Sequence, residues 1–175
     1  LIPSREELWI ADGNNVWFEN RDGYKQKTNF STEKHINNMT IITSKNHKNK
    51  ELEILINEIG FVSIKSMGSI GCKIASIMRG ESDIYISLSL RDQSSPKDWD
   101  FAAPDAILSL AGGRLTNLRN ERLVYNKDGN NQGGIIIASN DKNNHENLCL
   151  QVEKAIQRCK LIPGIYPINL EELLG

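Results

Sequence analysis

A short run of acidic, aromatic and small residues near the middle of the chain is the strongest candidate for chemistry. It spans residues 97–105, reads KDWDFAAPD, and is followed by AGG at 111–113. Asp100 stands where a loop enters a predicted helix, so its carboxylate can cap free backbone N–H groups. Pro104 suits the first turn of that helix, because its missing N–H would have no intrahelical partner there. A carboxylate held in this way can either cap the helix or bind a divalent cation.

A second candidate is a lysine close to another predicted helix start. Lys73 follows the small-residue segment GSIG at 68–71. Free N–H groups and the helix dipole at such a start favour anions, so Lys73 is placed to reach a phosphate. The residues alone also allow an ordinary surface lysine at this position.

Alternating helix and strand signals predict the elements that position these residues. Apolar residues at helical spacing predict four helices, at 48–59, 69–78, 100–111 and 143–159. Four β-prone segments are expected to share one sheet: 39–43, 61–64, 83–88 and 135–138. The smaller elements are a predicted hairpin at 7–19, a loop with a short edge strand at 20–38, and a short strand at 114–116. Strands that alternate with helices predict an α/β domain, with a layered sheet and flanking helices.

The run at 97–105 is part of a longer pattern. Residues 99–113 follow the pattern WDxAAxxxIxxxAGG, which resembles the C-terminal signature of the inositol monophosphatase superfamily. GESDIY at 80–85 resembles a strand of that family, and residues 3–13 resemble its upstream hairpin. The resemblance covers roughly residues 1–140. It implies the C-terminal half of a sugar-phosphatase fold, and a Mg²⁺-dependent, lithium-sensitive phosphatase in which Asp100 binds the metal and faces the substrate.

Three elements are similar to the 3′(2′),5′-bisphosphate nucleotidase branch of that superfamily. TSKNH at 43–47 resembles its S-R-S-H element, GCKI at 71–74 resembles G-N-K-I, and residues 97–105 resemble K-K-W-D-x-x-A-P-E. Members of this branch hydrolyse 3′-phosphoadenosine 5′-phosphate (PAP) to AMP, and some also take the sulfated analogue PAPS. The resemblance implies a role in sulfur assimilation and nucleotide turnover.

The same resemblance assigns a substrate-binding role to each candidate residue. It places Ser44 and His47 beside the nucleotide, brings the backbone of Ser69 close to it, and directs Lys73 to a phosphate. All of these residues lie at strand ends, loops or helix starts, where α/β folds place their ligand sites. Five residues are therefore expected to converge on one open cleft: Ser44, His47, Ser69, Lys73 and Asp100.

The metal site implied by the resemblance is incomplete in this sequence. The family builds it from an acidic pair and a D-P-[IL]-D-G-T run, and no such run occurs here. Mg²⁺ needs several oxygen ligands, so Asp100 cannot hold it alone. The catalytic residues are accordingly expected upstream of Leu1, which opens the chain inside an apolar segment. We expect the 175-residue chain alone to release little phosphate from PAP.

The predicted organisation follows from this expectation. Residues 1–38 would be an edge hairpin and loop that continue from a missing N-terminal domain. Residues 39–160 would be the C-terminal α/β substrate-recognition domain, and residues 161–175 form a tail without an assigned role.

Composition narrows the class of partner. The chain carries 21 basic and 22 acidic residues, a net charge of -1, which argues against non-specific nucleic-acid binding. No apolar run approaches the length of a membrane span. Cys72, Cys149 and Cys159 show no CxxC spacing, which favours a reducing cytoplasm over a disulfide framework or a zinc site. The expected partner is a small nucleotide bisphosphate.

Two other functions stay open on the sequence. One is an inositol monophosphatase-like enzyme that acts on a sugar phosphate, and the other is a binding domain that kept the fold and lost the chemistry. His47 and Lys73 suit a ligand with two phosphates and favour the nucleotidase over the first alternative. An acidic pair and a D-P-x-D-G-T run upstream would exclude the second.

Overall fold

The structure is a computed structural model that describes residues 1–27, 30, 34–45, 49–89, 95–126 and 128–161. His47 and residues 162–175, for which the sequence made predictions, lie outside the described residues. The described strands are β1 (Leu8–Ala11), β2 (Val16–Glu19), β3 (Lys25–Lys27), β4 (Thr40–Ser44), β5 (Ser63–Met67), β6 (Ile84–Ser89), β7 (Arg114–Asn117) and β8 (Gly134–Ser139). The helices are α1 (Lys50–Ile59), α2 (Ile70–Met78), α3 (Asp98–Leu110) and α4 (His145–Cys159).

The strands form two sheets. β1, β2 and β3 make an antiparallel sheet, which confirms the predicted hairpin. The larger sheet has the order β5-β4-β6-β8-β7, with β4 parallel to both β5 and β6, and β8 antiparallel to β6 and β7. All four strands that were expected to share a sheet lie in it, so this prediction is confirmed.

Helices cover both faces of the larger sheet, because its strands are apolar on both sides. On one face, Ile41 and Ile137 belong to a core cluster with residues of α1 and α4. On the other face, Ile42 and Ile136 belong to a cluster with residues of α2 and α3. The predicted layered α/β architecture is therefore confirmed. We call these two layers the α1–α4 layer and the α2–α3 layer.

The hairpin packs against the outer side of the α2–α3 layer. Trp9 belongs to the same core cluster as residues of both helices. Arg79, just after α2, bridges to Glu7 at 2.7 Å and to Glu81 at 2.9 Å, and Arg5 also reaches Glu81 at 2.9 Å. Hydrogen bonds from Arg79 lower the pKa of Glu81 to about 2. The domain boundary at 38/39 is not tested by these contacts and stays a prediction.

Local signals explain the ends of α1. The Asn49 side chain accepts the N–H of Leu52, which caps the first turn. Gly60 follows the helix with a φ of 71°, a left-handed conformation that glycine adopts without steric cost. The Gly60 position agrees with the sequence prediction.

The element bounds differ from the predicted ones by up to three residues, with the main consequences at α3 and β5. α3 begins at Asp98, so Asp100 is its third residue and not the residue before it, but the Asp100 carboxylate does cap the helix start, as predicted, by accepting the Lys97 N–H. Pro104 therefore lies in the helix interior and not in its first turn, where its ring removes the N–H that would bond to the carbonyl of Asp100. β5 begins at Ser63, later than the predicted strand start at 61, because Gly60 first reverses the chain.

A buried polar group ties the start of α4 to the sheet. His145 is fully buried, and its Nε2 lies 2.8 Å from Thr116 Oγ1 while its Nδ1 lies 2.7 Å from Ser139 Oγ. Burial lowers the pKa of His145 to about 4, so the ring is neutral at physiological pH.

In the part of the chain that the structure describes, no helix is long and apolar enough to cross a bilayer.

Candidate functional site

A pocket of about 500 Å³ lies where α2, α3 and the hairpin meet. The walls are mostly apolar, and the polar side chains on them include Ser69 and Asp100. The lining residues are Leu1, Ile2, Trp9, Ser69, Ile70, Gly71, Cys72, Ile74, Ala75, Met78, Trp99, Asp100, Ala103, Pro104 and Ile107. We call this cavity the α2–α3 pocket.

Asp100 is fixed by the first turn of α3. Its Oδ2 accepts the backbone N–H of Lys97 at 2.9 Å, so the carboxylate reaches back toward the residue before the helix. Phe101, the next residue, is fully buried and anchors this turn in the core. A carboxylate held between a backbone amide and a buried aromatic neighbour has little freedom, which suits a metal ligand as well as a cap.

The two neighbouring carboxylates face other partners. Asp98 accepts hydrogen bonds from the Asn126 N–H at 2.5 Å and from Gln132 Nε2 at 2.6 Å. Asp105 accepts a hydrogen bond from the Tyr125 hydroxyl at 2.8 Å. Both side chains thus hold the segment that follows β7 onto α3. This arrangement leaves Asp100 as the acidic side chain of this helix that lines the pocket.

Ser69 lies opposite, at the start of α2. Its backbone has φ 49° and ψ 132°, an unusual conformation for a residue with a side chain. The first bond of the helix runs from the Lys73 N–H to the Ser69 carbonyl, at 3.3 Å. The N–H groups of Ile70, Gly71 and Cys72 therefore have no partner within the helix, and all three residues line the pocket. Such a helix start attracts anions.

Lys73 lies beneath the pocket and is not one of its lining residues. The side chain is buried, at 3% exposure, and Nζ lies 5.3 Å from the centre of the Tyr85 ring. Burial lowers the pKa of Lys73 to about 8, and the charge of Asp100 partly opposes this shift. Burial also raises the pKa of Tyr85 to about 12. Lys73 is thus not the exposed surface lysine that the sequence also allowed.

Ser44 lies at the carboxyl end of β4, inside the larger sheet. It ends β4 and pairs with Met67 at the end of the parallel strand β5. The Lys45 N–H donates to the Met67 carbonyl at 3.1 Å, so the carboxyl ends of these two parallel strands lie side by side. Ser44 is not one of the residues that line the α2–α3 pocket.

The structure thus brings together two of the five predicted site residues, Ser69 and Asp100, on one pocket. Lys73 lies below them and interacts electrostatically with Asp100. Ser44 lies at the adjacent strand ends, and His47 lies outside the described residues. Whether these residues bind a substrate stays a prediction.

Sequence reasoning missed the apolar part of the wall. Trp99 is 69% exposed although it is large and aromatic, and Trp9 reaches the pocket from the hairpin. Trp99 could have been identified, because it directly precedes Asp100 at a helix start. Trp9 could not, since no spacing rule connects the hairpin to a helix so far along the chain.

The metal-binding capacity of the site can be judged from its donors. Among the described residues there is no group of three His, Cys, Asp or Glu side chains that could hold a metal ion. Asp100 offers one carboxylate, whereas Mg²⁺ is bound by about six oxygen atoms. The described side chains therefore do not form a complete magnesium site.

Known proteins resemble the chain in sequence. The 3′(2′),5′-bisphosphate nucleotidase 1 of Mus musculus is 30% identical over 125 residues, which cover 70% of this chain and 38% of that protein. Inositol monophosphatase 3 of Xenopus laevis is 28% identical over 136 residues, which cover 74% of this chain and 34% of that protein. The chain therefore spans well under half the length of these two relatives.

Solved structures resemble the chain in fold. SaIMPase-II with bound 2′AMP superposes with a TM-score of 0.59 and 21% identity, covering 89% of this chain and 57% of that chain. SaIMPase-II with bound inositol monophosphate gives a TM-score of 0.64 and 19% identity, covering 89% of this chain and 55% of that chain. At these identities the likeness establishes the fold.

The family match spans most of the described structure. The model of the Inositol monophosphatase family matches residues 3–157. That range contains both sheets, the four helices almost completely, and nearly all of the residues that line the α2–α3 pocket. The sequence signature around Asp100 and the layered fold agree with it, and we conclude that the chain belongs to the inositol monophosphatase family.

Proposed function

We propose that this chain is the substrate-recognition part of a Mg²⁺-dependent phosphatase that hydrolyses PAP to AMP and phosphate, with PAPS as a further substrate. Members of the family are phosphatases and generally depend on a metal, typically Mg²⁺. The identity of 30% to the mouse nucleotidase supports the narrower substrate. So do the nucleotidase-like elements at 43–47, 71–74 and 97–105. The enzyme would serve sulfur assimilation and nucleotide turnover.

One observation carries the proposal: the start of α2 and the Asp100 carboxylate border the same pocket. The free N–H groups of α2 attract a phosphate. The carboxylate of Asp100 repels the same phosphate unless a cation lies between them. An anion-binding helix start and a carboxylate on one pocket are the donors expected at a site that would bind a phosphate together with a divalent cation.

Each predicted residue receives a role in this proposal. Asp100 is one ligand of the metal, and the other ligands lie outside the described residues. Ser69 brings the amides of α2 to a phosphate. Lys73 supplies positive charge from beneath the pocket, where burial strengthens its field. Ser44 and His47 lie beside the nucleotide. When bound, the metal would activate water and neutralise the leaving oxygen, and these residues bind and orient the substrate for that chemistry.

The organisation and setting are part of the same proposal. Residues 39–160 form the recognition domain, and residues 1–38, which include the hairpin, precede it. The three cysteines are free thiols, which supports a reducing cytoplasm. The net charge of -1 supports a small-molecule partner over nucleic acid.

A second candidate is a sugar-phosphate phosphatase of the inositol monophosphatase type. The observation that favours it is that SaIMPase-II has been solved both with 2′AMP and with inositol monophosphate. A third candidate, a binding domain without catalysis, gains support from the incomplete donor set around Asp100 among the described residues.

Ligand titration separates the first two candidates. PAP, AMP and inositol 1-phosphate are titrated separately into the isotopically labelled chain, with Mg²⁺ present, while the backbone amide signals are followed by NMR. We expect PAP to shift the amides of residues 69–73 and 99–101 at lower concentration than either other compound. Stronger binding of inositol 1-phosphate would favour the second candidate, and no shift with any of them would contradict the proposal.

The role of Asp100 is tested in the complete enzyme. We expect Asp100→Asn to lower kcat for PAP by roughly three orders of magnitude, because it removes a charge that holds the metal. The matched control is Asp105→Asn, on the same helix, whose carboxylate accepts the Tyr125 hydroxyl and which should leave kcat within about threefold. The measurement is phosphate release. If the 175-residue chain alone matched the complete enzyme, our placement of the metal ligands would be wrong.

A further inference from the structure

Glu7 lies where the hairpin, the α2–α3 pocket and the end of α2 meet. The Trp9 indole Nε1 donates to Glu7 Oε2 at 3.0 Å, and Arg79 Nη1 donates to the same oxygen at 2.7 Å. The backbone of Glu7 pairs with Ile2, whose N–H donates to the Glu7 carbonyl at 2.8 Å. Ile2 and Trp9 both line the pocket. Glu7 therefore holds two residues of the pocket wall, one with its backbone and one with its side chain.

Arg79 connects this carboxylate to α2. It directly follows the last residue of the helix, and its side chain is only 13% exposed. Its Nε and Nη2 donate to the two carboxylate oxygens of Glu81, at 2.9 and 3.0 Å, which leaves Nη1 for Glu7. A planar guanidinium bound on one side by both oxygens of a carboxylate has a fixed orientation. Arg79 therefore fixes where Glu7 lies relative to α2.

The neighbouring strand repeats the tryptophan–glutamate pair with a different cation. Trp17 Nε1 donates to Glu19 Oε1 at 2.9 Å, and residues two apart on a strand point to the same face. The cation that pairs with Glu19 is Lys25 of β3, which is 62% exposed and belongs to the same small sheet. That pair is local to the sheet, whereas Arg79 joins the Trp9 pair to a helix that borders the pocket.

Packing explains why the hairpin docks, but not the orientation of the Trp9 ring. Trp9 belongs to the core cluster of the α2–α3 layer, and its ring lies 5.3 Å from that of Phe18. The last torsion of a tryptophan side chain has only a broad preference, so a bond from the indole N–H selects one ring orientation. Apolar residues in place of a buried ion pair often stabilise a protein equally well. The distinct contribution of Glu7 and Arg79 is therefore direction.

We propose that Glu7 is a positioning residue: held by Arg79, it fixes the Trp9 ring as the pocket wall against which the non-phosphate part of the ligand rests. The inference rests on the proposed function, which places a phosphate at the start of α2. The same helix carries both elements, because its first residues line the pocket and Arg79 follows its last residue. The ligand class is a phosphate ester with a flat group, as in a nucleotide.

The indole signals of the labelled chain test the positioning itself. The chain has three tryptophans, and their side-chain N–H signals are resolved by NMR and assigned with single Phe variants. Glu7→Gln replaces the charged acceptor and should shift the Trp9 signal but not those of Trp17 and Trp99. The matched control is Glu19→Gln, which should shift Trp17 and leave Trp9 in place. An unmoved Trp9 signal in Glu7→Gln, or an equal shift of it in both variants, would overturn the proposal.

Ligand binding tests the role of the wall. PAP and inorganic phosphate are titrated separately with Mg²⁺ present. Glu7→Gln should weaken PAP binding by roughly fivefold and leave phosphate binding within about twofold, because phosphate alone reaches only the helix start. Glu19→Gln should leave both within about twofold. Unchanged PAP affinity in Glu7→Gln, or equal weakening of both ligands, would overturn the role. A wild type that binds phosphate but not PAP would contradict the proposed function instead, and the indole signals would still decide the positioning.

A double variant tests the link through Arg79. If Arg79 acts through Glu7, Glu7→Gln combined with Arg79→Gln should bind PAP within about twofold of the weaker single variant. Losses that multiply would overturn the link. The control is Glu81→Gln, which removes the other acceptor of Arg79 but keeps the contact between Glu7 and Trp9. It should lower thermal stability and leave the Trp9 indole signal in place. A shift as large as that in Glu7→Gln would make the effect a general loss of packing and overturn the proposal.

Discussion

The two helical layers that cover the sheet are built differently. In the α1–α4 layer, Asn49 caps α1 with its side chain and Gly60 closes it in the left-handed conformation. In the α2–α3 layer, the described contacts include no hydrogen bond from the Ser69 side chain to cap α2, and the backbone of Ser69 has a φ of 49°. This layer also holds a proline inside a helix, Pro104, and a buried lysine, Lys73.

These departures from ordinary helix building coincide with the α2–α3 pocket. A strained residue, an interrupted helix and a buried charge each cost folding free energy, and each persists only where the surrounding structure holds it. In the α2–α3 layer that support comes from an apolar cluster of its own, in which Ile77, Phe101 and Leu108 are fully buried. The comparison indicates that the irregular helix features of the α2–α3 layer lie together around its pocket.

Truncation of one apolar side chain in each layer should give the largest difference in the free energy of unfolding between the two layers. Leu55 in α1 is fully buried, and Leu55→Ala should lower the free energy of unfolding by about 2–5 kcal/mol because it leaves a cavity in the core. Ile107 lines the pocket, where a truncated side chain faces open space, so Ile107→Ala should cost only about 1 kcal/mol. Urea unfolding of both variants measures the difference. Equal losses would contradict the division between the layers.

Lys73 should make stability depend on alkaline pH. Its pKa in the folded state is about 8, below the ordinary value of 10.5, so the unfolded chain binds more protons between these values. The free energy of unfolding should therefore rise from pH 8 to pH 10, by up to roughly 2–3 kcal/mol. Above pH 10, Tyr85 acts in the opposite direction, because burial raises its pKa to about 12.

The Lys73→Met variant isolates this contribution. Subtracting its urea-unfolding curve from that of the wild type removes the groups common to both proteins. The difference should grow between pH 8 and pH 10 and be flat near neutral pH. A flat difference throughout would show that Lys73 stays charged and solvated.

His145 should produce the corresponding dependence at acidic pH, in the α1–α4 layer. Burial lowers its pKa from 6.5 to about 4, so the unfolded chain binds a proton that the folded chain does not. The contribution of His145 to the free energy of unfolding should be fully present above pH 6.5. It should fall by up to roughly 3 kcal/mol as the pH drops to 4. His145→Gln should flatten this slope in thermal unfolding. The control is His35→Gln at an exposed position, which should leave the slope unchanged.

Helix α1 of the α1–α4 layer could be predicted from the sequence. The apolar spacing of Leu52, Leu55 and Ile56 and the glycine at 60 indicated α1 because local rules decide that helix. The start of α3 was placed too late, because Asp98 looks like a loop residue. It is helical since its carboxylate is held by Asn126 and Gln132, which are remote in the sequence.

The candidate site could be predicted from the sequence only in part. The signature around Asp100 identified the helix start that lines the pocket, and the small residues before Lys73 identified the other. Burial of Lys73 over Tyr85 depends on how α2 packs on the sheet, and the contribution of Trp9 depends on how the hairpin docks. Spacing along one segment carries no information on such contacts between distant segments.

The smallest expected effect compares two left-handed positions. Ser69→Gly should relieve the strain at φ 49°, which costs about 1–3 kcal/mol for a residue with a side chain. The added freedom of glycine in the unfolded chain offsets about 0.4–1 kcal/mol of this gain, so the variant should be more stable by about 1 kcal/mol, within a range of about 0–2.6 kcal/mol. The described residues show no hydrogen bond from the Ser69 side chain to cap α2, so no cap is lost.

The matched variant in the other layer is Gly60→Ala, at φ 71°. No atom of the described residues lies within 4 Å of the added Cβ, so the change is governed by backbone strain alone. It should lower the free energy of unfolding by about 1 kcal/mol, because alanine disfavours this conformation. Urea unfolding at pH 7 compares the two signs directly. If Ser69→Gly also destabilised the protein, then the Ser69 side chain, and not its backbone, would be what the α2–α3 pocket requires at that position.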